Sequence, residues 1–185
     1  MSIGALQMSR GIIVHLFRAD NGLDDSSIPE VLDMIRSGGP VVLLNRDSVF
    51  SDLHLSSAVM QAARSMIAGS GRARDPSIEV LRWVSGSHQV SRAIEMAGAG
   101  KRTRFLLAVC LPGKWPSGDD AHDLLPVLAH RWEGELPDGL SDPGNEPVFG
   151  GRVALNRLGL VDPGNIDDVE AEKLILEAVC FSSLK

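Results

Sequence analysis

Apolar positions along this chain fall into blocks of two kinds. Ile12 to Phe17 (IIVHLF) and Pro40 to Leu44 are short, nearly unbroken apolar runs rich in β-branched residues, and they predict two strands. Arg104 to Leu111 is a third such run with one charge at its start, the pattern of a strand covered on both faces. The other blocks repeat at the helical period. From Asp52, the residues Leu55, Val59, Ala62 and Met66 recur at steps of four, three and four, one stripe on a helix that leaves Arg64 off it. A shorter helix is framed by Ser26 or Ser27 as cap, Pro29 in its first turn and Gly38-Gly39 as stop. After the basic loop GSGRARDP, Asp75 caps and Pro76 opens a helix with Ile78, Leu81 and Val84 inward. Ser85-Gly86-Ser87 breaks it and starts another, with Val90, Ala93, Ile94 and Ala97 as inner face and Gly98 as its end.

Beyond this point the pattern weakens. Asp119 to Trp132 predicts a helix interrupted near Pro126. A Gly/Pro-rich, acidic loop at about 133–151, partly mobile, holds eight Gly or Pro among the 18 residues from Gly134. Asp167 or Asp168 starts a last helix, with acids where the helix dipole favours them and an almost wholly apolar stretch from Leu174 to Phe181. There is no repeat and no heptad seam. The order of elements predicts an α+β fold: a small mixed, mainly antiparallel sheet packed with several helices, as a single domain over 1–185.

At 185 residues the chain is long enough for its own core, and 44% apolar with 23% charged residues is ordinary for a globular protein. No apolar run approaches the ~20 residues of a membrane helix, and no signal-peptide pattern opens the chain. Cys110 and Cys180 lie in apolar runs and read as two buried, reduced thiols, so a cytoplasmic setting is expected. Charge adds more. The whole chain is −6, yet residues 60–104 carry eight bases against three acids, a net +5, leaving −11 on the rest. Such asymmetry points to a polyanion surface in that window or to solvated faces balanced elsewhere.

Motif tests remove several chemistries. Gly98-Ala99-Gly100-Lys101 is not a phosphate loop: Glu95 stands where the first glycine belongs, Arg102 where Ser or Thr belongs, and the glycines follow a helix instead of preceding one. The Ser85/Ser87–His88 corner lacks the remaining parts of a nucleophilic site, and capping explains its serines. His15, His54, His122 and His130 show no metal-ligand spacing, so neither metal nor other cofactor is expected. Trp83 and Trp132 read as core, Trp115 as exposed. What survives is a helix start beside His88, Gln89 and Arg92, with the loop bases Arg72 and Arg74 and the cluster Lys101, Arg102 and Arg104 brought near it if the two helices pack antiparallel. With Arg64 these residues make a candidate phosphate-backbone surface without catalytic groups. No Tyr and five Phe argue against a broad base-stacking platform.

The same segment carries a family resemblance. Ala58 and Ala62 or Ala63, then Ser77, Glu79, Val80, Leu81, Ser85, Gly86, Gln89, Val90, Ala93, Ile94 and Gly98, followed by an apolar strand, resemble the TPRKB-like family, the small kinase-binding subunit of the KEOPS complex. Residues 10–111 and 155–185 fit, the closing LILEAVCFSSLK looking like the family's C-terminal helix, while 112–154 match poorly; the usual arginine of the S-G-x-R-Q-I signature is His88 here. The resemblance implies a non-enzymatic regulator in threonylcarbamoyladenosine modification of tRNA. It would bind the PRPK-type kinase subunit and, in archaea, help recruit tRNA by its 3′ CCA end. It makes Leu174, Ile175, Ala178 and Val179 candidates for kinase binding, with plain core as the alternative. Two other readings stay open: an interaction subunit without RNA contact, and a small-molecule enzyme using the Ser85–His88 corner. The oligomeric state is open too, a homodimer of the isolated chain included.

Overall fold

The computed structural model describes residues 11–23, 26–35, 38–113, 123–160 and 164–181, Phe181 by its backbone alone. Trp115 and His122 lie outside them. Strand β1 (Ile12–Ala19) is the centre of a five-stranded sheet. On one side it pairs antiparallel with β3 (Phe105–Cys110), Ile13 opposite Cys110 and Arg18 opposite Phe105. Strand β3 pairs in turn with β2 (Val41–Asn45), Val41 opposite Cys110 and Asn45 opposite Leu106. On its other side β1 pairs parallel with β4 (Val127–Ala129) and, at its end, antiparallel with β5 (Leu140–Ser141). Around the sheet lie α1 (Ser27–Ile35), α2 (Asp52–Ile67), α3 (Pro76–Ser85), α4 (Val90–Ala97), α5 (Val153–Arg157) and α6 (Asp168–Phe181). This is the α+β architecture with a mixed, mainly antiparallel sheet that the element order predicts.

Alternation along the strands assigns the two faces. Ile12, Val14 and Leu16 of β1 and Phe105, Leu107 and Val109 of β3 meet Leu55, Ala58 and Val59 of α2 and Val80 and Val84 of α3. Ile13, Phe17 and Ala19, with Leu106, Ala108 and Cys110, meet Val31 and Ile35 of α1 on the other face. All six β3 residues are buried, as its unbroken apolar run requires. A third cluster joins Phe50 to Ala154, Leu155 and Leu158 and to Ala171 and Ile175 of α6.

Local chemistry sets the helix ends. Asp75 accepts hydrogen bonds from the Ser77 and Ile78 N–H groups, and Pro76 opens α3. Gly86 ends α3 in the left-handed conformation at φ 63°, one only glycine adopts readily. Ser51 caps α2 by accepting the His54 N–H, and its hydroxyl donates to Glu172 of α6.

Four expectations need correction. Helix α4 begins at Val90 with Gln89 as its cap residue, not at Ser85–Ser87, because the left-handed Gly86 and the three residues after it form a separate turn. On α4 only Ala93 and Ala97 face inward; Val90 is 36% exposed and Ile94 44%, since α4 rests on α3 by a narrow strip. Of the segment expected to be helical near Pro126, Val127–Ala129 is a strand, recruited by the exposed edge of β1. Cys110 is buried, but Cys180 is exposed on α6. The Gly/Pro-rich stretch is also tied down more than its composition suggests: β5 pairs with β1, Arg46 reaches Glu146 at 3.2 Å, and the Gly150 N–H donates to the Val49 carbonyl at 2.8 Å.

Candidate functional site

The connection between α3 and α4 is built on a buried ion pair. Glu79 is fully buried and receives both carboxylate contacts from Arg82 Nη1 at 2.7 Å. It also accepts from the Ser65 hydroxyl at 2.9 Å, the Trp83 indole N–H at 3.0 Å and the Ala73 N–H at 3.0 Å. Burial pushes this carboxyl up, but the Ala73 N–H, Arg82 and the Ser65 hydroxyl together hold it below the ordinary glutamate range. From Arg82 the network continues: its Nε donates to the His88 carbonyl at 3.3 Å and so holds the turn that leads into α4.

Within that turn the serines are occupied. Ser85 Oγ donates to the Arg82 carbonyl and accepts the Ser87 N–H; Ser87 Oγ donates to the Gln89 carbonyl. Both hydroxyl protons are committed to backbone carbonyls, the arrangement of turn residues. The Gly98–Thr103 segment is likewise a turn: Gly98 bridges to Leu44, and the Gly100 N–H donates to Thr103 Oγ1 at 2.8 Å. Glycine is needed at 98 because a Cβ there would lie 2.6 Å from the Ile94 carbonyl oxygen.

Two adjoining grooves follow α4. One, of about 310 Å³, runs past Ser85, His88, Gln89 and Arg92 to Met96 and Leu158. The other, of about 570 Å³, lies between α4 and α5, with Gln89, Arg92, Glu95, Arg102, Asn156 and Arg157 on its walls. Gln89 and Arg92 belong to both, so the grooves are continuous. The structure therefore brings His88, Gln89, Arg92 and Arg102 together. Lys101 and Arg104 are exposed on the same turn, Arg104 with its guanidinium 5.5 Å from the Phe105 ring centre.

Arg72 and Arg74 are placed elsewhere. They sit at the start of α3, where Ser77 Oγ donates to the carbonyl of Val41, the first residue of β2. The 98–105 turn lies at the other end of β2, where Leu44 bridges to Gly98 and Asn45 pairs with Leu106. Five strand residues separate the two groups, roughly 13 Å. Arg64, partly buried near the end of α2, also stands apart from the α4 grooves.

The α6 residues divide. Ile175 and Val179 are 0% and 1% exposed and fill the cores, Ala178 is half-buried, and Leu174 stays on the surface. Sequence reading missed Arg157 and Asn156, which reach the groove from far outside the basic window, and Arg46, whose guanidinium lies 4.1 Å from the Phe105 ring centre. The only local signal was the base-bearing GRVALNRLG stretch after the Gly/Pro-rich region. His54 is buried as a satisfied core histidine: Nδ1 accepts the Phe50 N–H at 3.1 Å and Nε2 donates to the Val84 carbonyl at 3.2 Å. Among the described residues no group of His, Cys, Asp and Glu is placed to hold a metal, and no helix is long and apolar enough to cross a membrane.

A search of curated proteins returns no match to the chain. The family model described as kinase binding protein CGI-121 matches residues 26–137. That span holds α1 to α4, β2 to β4 and the whole basic window; it continues past Leu111, where the resemblance thins, and stops before α5 and α6. With more than half of its length matched, the chain belongs to the CGI-121 family of kinase-binding proteins, the TPRKB-like family its sequence resembles.

Proposed function

We propose that this protein is the non-catalytic regulatory subunit of a KEOPS-type complex, binding a PRPK-type kinase and helping to recruit tRNA by its 3′ CCA end. The match to a kinase-binding family over residues 26–137 carries the reading. Two surface features support it. Val90 and Ile94 form an exposed apolar pair one turn apart on α4, at positions of the family pattern, and Leu174 is exposed on α6. Single exposed apolar residues are ordinary, but a pair on one helical face suits a docking contact. Arg92 and Arg102 make no ion pair or hydrogen bond among the described residues, which leaves their charge available to phosphate.

Co-purification with a PRPK-type kinase, followed by a gel shift with tRNA carrying or lacking CCA, tests both halves. Val90→Asp with Ile94→Asp is expected to lose the kinase, while Arg92→Glu with Arg102→Glu loses the tRNA shift. All four side chains are exposed, so thermal melts should stay within a few degrees of the parent. Failure of the unaltered chain to retain the kinase would sink the reading. Retention of the kinase without any tRNA shift would select an interaction subunit without RNA contact.

A further inference from the structure

The basic groove beside α4 is completed by a residue remote in sequence and fixed in place. Arg157 Nε donates to Ser48 Oγ at 2.9 Å, and that fully buried hydroxyl donates onward to the Met96 carbonyl of α4 at 2.9 Å. One edge of the guanidinium is thereby anchored to the groove floor. Its Nη atoms make no hydrogen bond among the described residues. The element bearing Arg157 is pinned as well. The Gly150 and Gly151 N–H groups donate to the Val49 and Phe50 carbonyls, and a Cβ at Gly150 would lie 2.7 Å from Asp47 Cα. Leu155 is fully buried beneath α5.

Arg157 thus faces the groove shared by Arg92 and Arg102, where Glu95 is the one carboxylate against three guanidiniums. Guanidinium forks match phosphate oxygens, and a fork held in place loses little entropy on binding. No aromatic side chain lines this groove, so it suits a backbone and not stacked bases. We infer that Arg92, Arg102 and Arg157 form one site for backbone phosphates of RNA, with Ser48 positioning Arg157 and with Arg72 and Arg74 outside it. This rests on the tRNA-binding role proposed above.

Fluorescence anisotropy with a labelled tRNA transcript over a salt series tests it. Arg157→Gln is expected to weaken binding about fivefold and to lower the salt slope by about 1, and Arg102→Gln to do the same from an exposed position that folding does not depend on. Ser48→Ala keeps every charge yet should weaken binding about twofold by freeing Arg157, with little change in slope. Arg72→Gln with Arg74→Gln should lose less than Arg157→Gln alone, and Arg157→Gln should still co-purify with the kinase. Parent-like binding by both Arg157→Gln and Arg102→Gln would overturn the site, as would a larger loss from the Arg72/Arg74 pair. Release of the kinase by Arg157→Gln with tRNA binding intact would make the groove a protein interface instead. If the unaltered chain binds no tRNA, the recruitment role itself fails.

Discussion

Glu79→Ala is expected to destabilise the fold by about 3–5 kcal/mol, close to the whole margin of many domains. The substitution leaves Arg82, whose side chain is 7% exposed, without its counter-charge, and removes the acceptor for the Trp83 indole, the Ser65 hydroxyl and the Ala73 N–H. Ser65 can still donate to the Ala62 carbonyl at 2.9 Å and accept from the Trp83 indole at 3.4 Å, but the Ala73 N–H and the Arg82 guanidinium lose this acceptor inside a packed core. Glu79→Gln keeps the shape but turns an NH₂ toward donors, so a smaller loss of about 1–3 kcal/mol is expected. Urea denaturation measures both. A loss under about 1 kcal/mol for the alanine variant would show that the pair only balances its own desolvation. The depressed carboxyl adds a pH dependence. The folded state holds the proton less tightly than the unfolded chain, so this stabilisation is full above about pH 4.5 and is lost as pH falls below that value. Glu79→Gln should flatten that limb.

The second large effect belongs to His54 and appears at higher pH. Complete burial pushes its imidazole from 6.5 down to about 4, against a smaller opposing contribution from the Val84 carbonyl. The geometry explains why the neutral form is required. Nδ1 accepts the Phe50 N–H, so a proton there would face another donor. Above pH 6.5 neither folded nor unfolded chain binds the proton. Between pH 6.5 and 4 only the unfolded chain does, which removes about 3 kcal/mol of stability before the curve levels. His15, also depressed by burial, adds to the same limb. His54→Gln should therefore be less stable at pH 8 yet lose less on going to pH 5, read by urea melts at both pH values. An equal loss in variant and parent would remove His54 as the cause.

The three long strands and the helices α1, α2, α3 and α6 were legible because their signals are local. Asp75-Pro76 writes the start of α3 in two residues, and the unbroken run of β3 announces burial on both faces. Strand β4 was not legible: three residues after a proline have no period of their own, and their partner Ile12–Val14 lies more than 100 residues earlier. Glu79 and Arg82 read in sequence like an ordinary exposed pair three residues apart; only the packing of α2 and the 72–74 loop over them makes the pair buried. The candidate site was half legible for the same reason. A charge window finds Arg92 and Arg102, which are near each other in sequence, but also gathers Arg72 and Arg74, which the length of β2 keeps away. It has no means of adding Arg157, which arrives through Ser48.

The pairing of β1 bears on the order in which the molecule can be made. This central strand leaves the ribosome before every strand it pairs with: β3, β4 and β5 begin at residues 105, 127 and 140. Until residue 105 is made its apolar side chains have no strand to pair with, and each closure spans more than 80 residues. Such long-range pairing makes folding slow and leaves an aggregation-prone edge exposed in the nascent chain. A ribosome-stalled fragment ending near residue 100 should therefore remain protease-sensitive at β1, and resistance should appear only once residues 105–110 have emerged.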